Sequence, residues 1–216
     1  IMQATGHAGC RYRMLRPWRA DQRGRFDPDP RHGCHTDRVT SQPEPIEPDT
    51  KDWTWVLSRP CPDCGFAPNS VHHTEVADRI RADAARWVSR LAGPGITDRP
   101  QPTVWSTLEY GCHIRDVHRI FDHRVRLMLD DEEPHFPNWD QDETARADDY
   151  GSQDPAAVAD ELVDAANAVA DTYMRVPADG WSRRGLRSNG SEFTVASIAI
   201  YHLHDVVHHA HDVDHG

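Results

Sequence analysis

Residues 201 to 215 read YHLHDVVHHAHDVDH and hold six of the chain's fifteen histidines. Imidazole is the commonest metal ligand and titrates near neutrality, so this density points to metal or proton chemistry. His204 and His208 stand four apart, which in a helix puts both rings on one face, one turn from each other. His211 continues that face. A third ring is available upstream in WSTLEYGCHIRDVHRIFDHRV, where His113 can approach the pair from a neighbouring helix. The competing reading is a solvated helix end whose cationic rings suit the helix dipole. Against it, the histidines alternate with Leu203, Val206, Val207, Ala210 and Val213, which give the segment an apolar side that docks.

CPDCG at 61 to 65 is the second feature with chemistry. A C-x-x-C turn can bind zinc, cycle as a dithiol or hold unpaired buried thiols. A structural zinc needs two further ligands, and His72 and His73 are the candidates close in sequence. A thioredoxin-like role is disfavoured, because the strand and helix alternation of that fold is missing.

Composition narrows the rest. The chain has 216 residues and a net charge of −11, with 38% hydrophobic residues. Nonspecific nucleic-acid binding needs a basic surface, so an acidic chain argues against it. Residues 1 to 38 are locally basic, with eight Arg against four Asp, and Lys51 is the only lysine. No apolar run reaches membrane-span length and no signal-peptide stretch is evident, so a cytoplasmic protein is expected. Five scattered cysteines do not form a secreted disulfide framework.

These residues need helices to hold them. Residues 1 to 50 are rich in Arg, Pro, Asp and Gly without apolar periodicity, and are read as a disordered extension. The domain is expected over 51 to 216. WTWVLSRPCPDCGF is a strand-like or irregular lead-in. From Ser70 as N-cap, Val76, Ile80, Ala84, Trp87, Val88 and Leu91 recur at helical spacing until AGPG. A second helix is expected from about Thr103 to Leu129. Residues 134 to 154 carry prolines, acids and aromatics without period and read as a long loop. Asp154-Pro155 opens a third helix. Asn189-Gly190 marks a short β-hairpin, and Thr194 caps a fourth helix that carries the histidines. The fold class is therefore all-α, a four-helix bundle, which can hold metal between facing helices.

With its helix carrying WSTLEYGCHIRD and its last helix carrying H-x-x-x-H, the chain resembles the DinB-like superfamily of metal-dependent bundles. That superfamily includes mycothiol-dependent maleylpyruvate isomerases and bacillithiol S-transferases. The resemblance implies a divalent metal, zinc first with nickel or another ion as alternatives, on His113, His204 and His208. In the isomerase branch a glutamate replaces the first histidine of the final pair, so His204 makes the chain more similar to the three-histidine branch. The implied activity is thiol transfer: the metal activates a small thiol, mycothiol by analogy, which attacks a small electrophile. The alternatives are a metal-dependent hydrolase and a noncatalytic metal-binding module in which His209 and His211 take part. The partners expected are a small-molecule thiol and an electrophile, without nucleic acid or membrane, and homodimerisation is allowed.

Glu109 and Asp116 are the candidate catalytic carboxylates, four before and three after His113. Glu109 can reach metal, water or substrate, or lie on the helix surface. Asp116 can orient an imidazole as an acceptor behind it. Asp205 is read as a solvated acid, with the same orienting role as its alternative. Arg183, Arg184 and Arg187 would grip an acidic thiol or acceptor, or form a charged hairpin in solvent.

Overall fold

The computed structural model describes residues 51–215, so the reading of residues 1 to 50 lies outside the described part. The sequence-based expectation of four long helices is met. They are α1 (Val76–Leu91), α2 (Thr107–Asp130), α4 (Pro155–Met174) and α5 (Val195–His215), with a short α3 (Gln141–Ala147) between the second and third. A small sheet contains β1 (His135–Phe136), β2 (Arg184–Arg187) and β3 (Glu192–Thr194). α4 packs chiefly on α1 and α2, while α5 lies against α2 and α1.

The apolar positions explain this packing. Ile80, Ala84, Trp87 and Leu91 of α1 meet Leu162, Val169 and Tyr173 of α4 and Ile114, Val117 and Phe121 of α2 in one continuous core. Trp87, Ile80, Leu108, Ile114 and Leu162 are completely buried, and each such side chain contributes about 1.5–3 kcal/mol through burial.

Local signals set the helix boundaries, and several differ from expectation. α2 begins at Thr107, because Ser106 forms a reciprocal capping box with Glu109: Glu109 N–H donates to Ser106 Oγ at 3.3 Å, and Ser106 N–H to Glu109 Oε2 at 2.8 Å. Ser70 does not cap α1. Its hydroxyl donates to the Ala67 carbonyl at the end of a 3-10 turn, and α1 starts six residues later. The lead-in, read as strand-like or irregular, opens with a 3-10 turn over Trp53–Leu57 capped by Asp52.

The long loop is also more ordered than its composition suggested. Asp140 accepts from Glu143 N–H and caps α3, and Trp139 Nε1 donates to Thr144 at 2.7 Å. Tyr150 follows in a 3-10 turn and is buried. The Asn189-Gly190 turn closes the β2–β3 hairpin, with Gly190 at φ +92°. β1 adds in parallel to β2, a pairing that a two-residue strand could not announce in the sequence. Thr194 caps α5 as expected, accepting from Ser197 N–H at 3.1 Å.

Candidate metal centre

α2 and α5 lie side by side, so residues from both can meet. On α5, His204 and His208 form one i,i+4 pair, and Asp205 and His209 form a second. A helix turns about 100° per residue, so the two pairs project from adjacent strips of its surface. His113 from α2 meets the second pair. His113, Asp205 and His209 form one candidate ligand cluster, whereas His204 and His208 join Cys61 and Cys64 in another. The structure therefore divides the expected set of His113, His204 and His208 between two places.

The first cluster has the spacing of a ligand set. His113 Nε2 lies 3.5 Å from Asp205 Oδ1, and His209 Nε2 lies 3.4 Å from the same oxygen. Tetrahedral ligation with bonds of about 2.1 Å separates neighbouring donor atoms by about 3.4 Å. Both ring nitrogens of His113 and Oδ1 of Asp205 are buried without a hydrogen-bond partner among the described residues. Such groups are costly to leave unpaired, and a cation between them would satisfy Nε2 and Oδ1 together. The donor set therefore fits a divalent metal, with three protein ligands.

Protonation favours ligation. Burial holds His113 below the usual imidazole range, against the pull of Asp205. Burial would lift the Asp205 carboxyl, but the neighbouring His113 and His209 rings more than offset this and keep it well below the usual range. A neutral imidazole and a carboxylate are the forms that bind metal. Asp212 Oδ2 lies 2.9 Å from His209 Nδ1. That carboxylate holds the proton on Nδ1 and leaves the Nε2 lone pair for the metal.

Aromatic rings wall the site. Trp139 stacks on His113 at 5.3 Å and 4°, Trp105 packs against His113 at 5.2 Å, and Tyr110 lies 5.3 Å from His209. A cleft of about 140 Å³ lined by Val104, Trp105, Thr107, Tyr110, Asp212 and Val213 adjoins these residues. It lies between the start of α2 and the end of α5.

The proposed catalytic carboxylates have other partners. Glu109 is buried, and Arg99 donates to it through Nε at 2.9 Å. Burial raises its pKa, but the hydrogen bonds from Arg99 and Ser106 outweigh that and leave it lowered. Asp116 accepts from Arg115 at 2.9 and 3.0 Å, from Arg119 at 3.0 Å and from the Tyr150 hydroxyl at 2.6 Å. That network pins the 3-10 turn of Tyr150 to α2. Neither carboxylate has the raised pKa that suits a general acid, and both are held by cations.

The three hairpin arginines are likewise engaged. Arg183 donates to the carbonyls of Met128 and Asp131 at 2.7 Å each, closing the C-terminal end of α2. Arg184 is exposed and pairs with Glu192. Arg187 is buried over Phe193 and Tyr201 and donates to Asn189 and Ser191. His72 and His73 stack on each other, and His73 continues onto Trp181, so neither joins the cysteines.

Sequence reasoning gave Asp205 to solvent and used His209 only in a rival reading. Their only trace in the sequence is a second pair at the same four-residue spacing, one position along from His204 and His208.

Among the described residues, no helix is long and apolar enough to cross a membrane. The sequence matches no curated protein. Among solved structures it is similar to YfiT from Bacillus subtilis, described as a probable metal-dependent hydrolase with an unusual four-helix bundle topology. The two share 17% identity and a TM-score of 0.57, over 66% of this chain and 82% of that one, a likeness that shows the fold. The family model of the DinB superfamily matches residues 76–213, which contain α1 through nearly all of α5 and the cluster of His113, Asp205 and His209, and the chain belongs to that superfamily.

Proposed function

We propose that this protein binds one divalent metal ion, zinc first, through His113, Asp205 and His209, and acts as a thiol transferase or thiol-dependent isomerase on a small electrophile. The observation that carries the metal assignment is the convergence of His113 Nε2 and His209 Nε2 on Asp205 Oδ1 at 3.5 and 3.4 Å. An acid followed four residues later by histidine is also the order that the isomerase branch of the superfamily carries, with aspartate here in place of glutamate. With Asp205 and His209 as the ligand pair in place of His204 and His208, the site is closer to that branch than to the three-histidine one.

A divalent ion held there would keep a small thiol deprotonated at neutral pH, and the thiolate is the nucleophile. The protein's own contributions are positional. Asp212 fixes the His209 tautomer, while Trp139 and Trp105 hold the His113 ring and keep water from its faces. The adjoining cleft has a mixed lining, with Val104, Trp105 and Val213 beside Asp98, Thr107 and Asp212. Mycothiol is the thiol proposed by analogy.

Hydrolysis is the second reading, because YfiT is described as a probable metal-dependent hydrolase. It needs a base for water, and the two carboxylates first considered, Glu109 and Asp116, are both tied to arginines with lowered pKa values. The test is turnover by zinc-loaded protein with a panel of small thiols and a chromogenic electrophile, set beside ester and amide substrates without thiol. Turnover that requires thiol and disappears in His209→Ala supports transfer. Turnover of an ester without thiol, lost in the same variant, would establish the hydrolase instead.

A further inference from the structure

We propose that Cys61, Cys64, His204 and His208 form a second metal site, a closed zinc centre with a structural role. The ligand atoms of these four residues all lie within 4.8 Å of one another. Cys61 Sγ and His208 Nδ1 are 3.6 Å apart, across 147 residues of sequence. With zinc–sulfur bonds of about 2.3 Å and zinc–nitrogen bonds of about 2.1 Å, a tetrahedral centre separates sulfur from nitrogen by about 3.6 Å.

Local structure prepares the site from both sides. Gly65 takes a left-handed φ of +72°, its N–H donates to the Cys61 carbonyl at 3.0 Å, and Cys61 N–H donates to the Phe66 carbonyl at 2.8 Å. The resulting tight turn brings Cys61 and Cys64 to the same place. On α5, the rings of His204 and His208 lie 5.2 Å apart, one turn from each other. Trp53 covers both, at 5.8 and 5.0 Å, and Phe66 packs against His204 at 5.4 Å. His204 is 3% exposed, and its Nε2 is buried without a partner among the described residues. That orphaned nitrogen is the second, independent sign of a ligand.

Chemistry selects the metal. Two thiolates and two imidazoles in a tetrahedral arrangement suit zinc, and four protein ligands leave no position for substrate. As each zinc–sulfur bond forms, the thiol releases its proton to solvent. The site would staple the lead-in over 53 to 66 onto α5 and so fix the helix that presents Asp205 and His209 to His113. It is independent of the proposed reaction, since the first cluster contains no sulfur.

The test is cobalt substitution and zinc content of the full-length protein. Full-length wild type should bind two metal ions per chain, and cobalt should give an intense near-ultraviolet band from thiolate-to-metal charge transfer. That band should persist in His209→Ala, His72→Ala and His73→Ala, and vanish in Cys64→Ser, which should retain one ion. Zinc removal should lower the melting temperature of wild type. A wild-type cobalt spectrum without the thiolate band, or loss of the band in His72→Ala, would overturn the assignment. Because the wild-type spectrum needs no variant, poor folding of Cys64→Ser does not blunt the test. Wild type that shows the thiolate band but binds only one ion per chain would support this site and count against the first.

Discussion

His208 and His209 are consecutive residues that belong to different ligand clusters, the first with Cys61 and Cys64 and the second with His113 and Asp205. Asp212 faces both, at 2.9 Å from His209 Nδ1 and 3.9 Å from His208 Nε2. One helix thus presents two candidate ligand pairs through the same four-residue spacing, offset by one position.

Asp212 should therefore tune the first site. Asp212→Asn keeps the shape but weakens the acceptor behind His209, and loss of such a partner typically costs 10- to 100-fold in metal affinity, so a drop of about that size is expected. A competition titration against a chromogenic chelator measures it. Unchanged affinity would show that His209 does not bind metal through Nε2 with Asp212 behind it.

Glu109 should prove structural. Its carboxylate closes the capping box of α2 and neutralises Arg99 while 5% exposed. Glu109→Ala removes the partner of a part-buried cation and a helix cap, at a cost of about 1–3 kcal/mol. Chemical denaturation should show that loss, with first-site metal content retained. A variant of wild-type stability that had lost turnover would return Glu109 to the catalytic machinery.

Acid should destabilise the bundle through His118. This ring is fully buried, with Nδ1 3.0 Å from His202 Nε2, and Tyr173 Oη is 3.1 Å from His202 Nδ1. Burial pushes the His118 pKa down to about 3. A histidine whose folded pKa is depressed stabilises fully above its unfolded pKa of about 6.5, and that contribution fades as pH falls toward 3. Between about pH 7.5 and about pH 5.5 the loss should be about 1.4 kcal/mol. Urea unfolding of wild type beside His118→Gln isolates it, because the variant should lose less. Equal pH slopes for the two proteins would contradict the buried neutral state.

Gly185 should not tolerate a side chain. A Cβ there would meet Met128 Cγ at 2.7 Å and Phe136 Cε1 at 2.9 Å, where β2 crosses the end of α2. Overpacking of this kind costs about 1–3 kcal/mol, so Gly185→Ala should lower the melting temperature. A thermal scan is sufficient, and an unchanged midpoint would mean that Met128 and Phe136 relax freely.

The fold was largely legible. Apolar spacing from Val76 to Leu91 and the Asp154-Pro155 start announced their helices because each rests on local signals. α3 rests on a short local cap, Asp140 accepting from Glu143 N–H, too brief to stand out of a proline-rich stretch, whereas Tyr150 owes its order to a tertiary partner: it is held by Asp116 across 34 residues. The histidine helix was found by composition, but its register was not. Choosing between His204 with His208 and Asp205 with His209 depends on how α5 is rotated against α2. That rotation is set by packing of Leu203, Val206 and Ala210 rather than by any local motif. The C-x-x-C pair is plain in the sequence, yet the histidines clustered with it lie at the far end of the chain, beyond any spacing rule.

The most direct measurement is a crystal structure of the zinc-loaded protein with anomalous scattering recorded at the zinc edge. One peak should lie among His113 Nε2, Asp205 Oδ1 and His209 Nε2, at about 2.0–2.2 Å from each. A peak shared by His113, His204 and His208, or no peak beside His113, would contradict the central assignment.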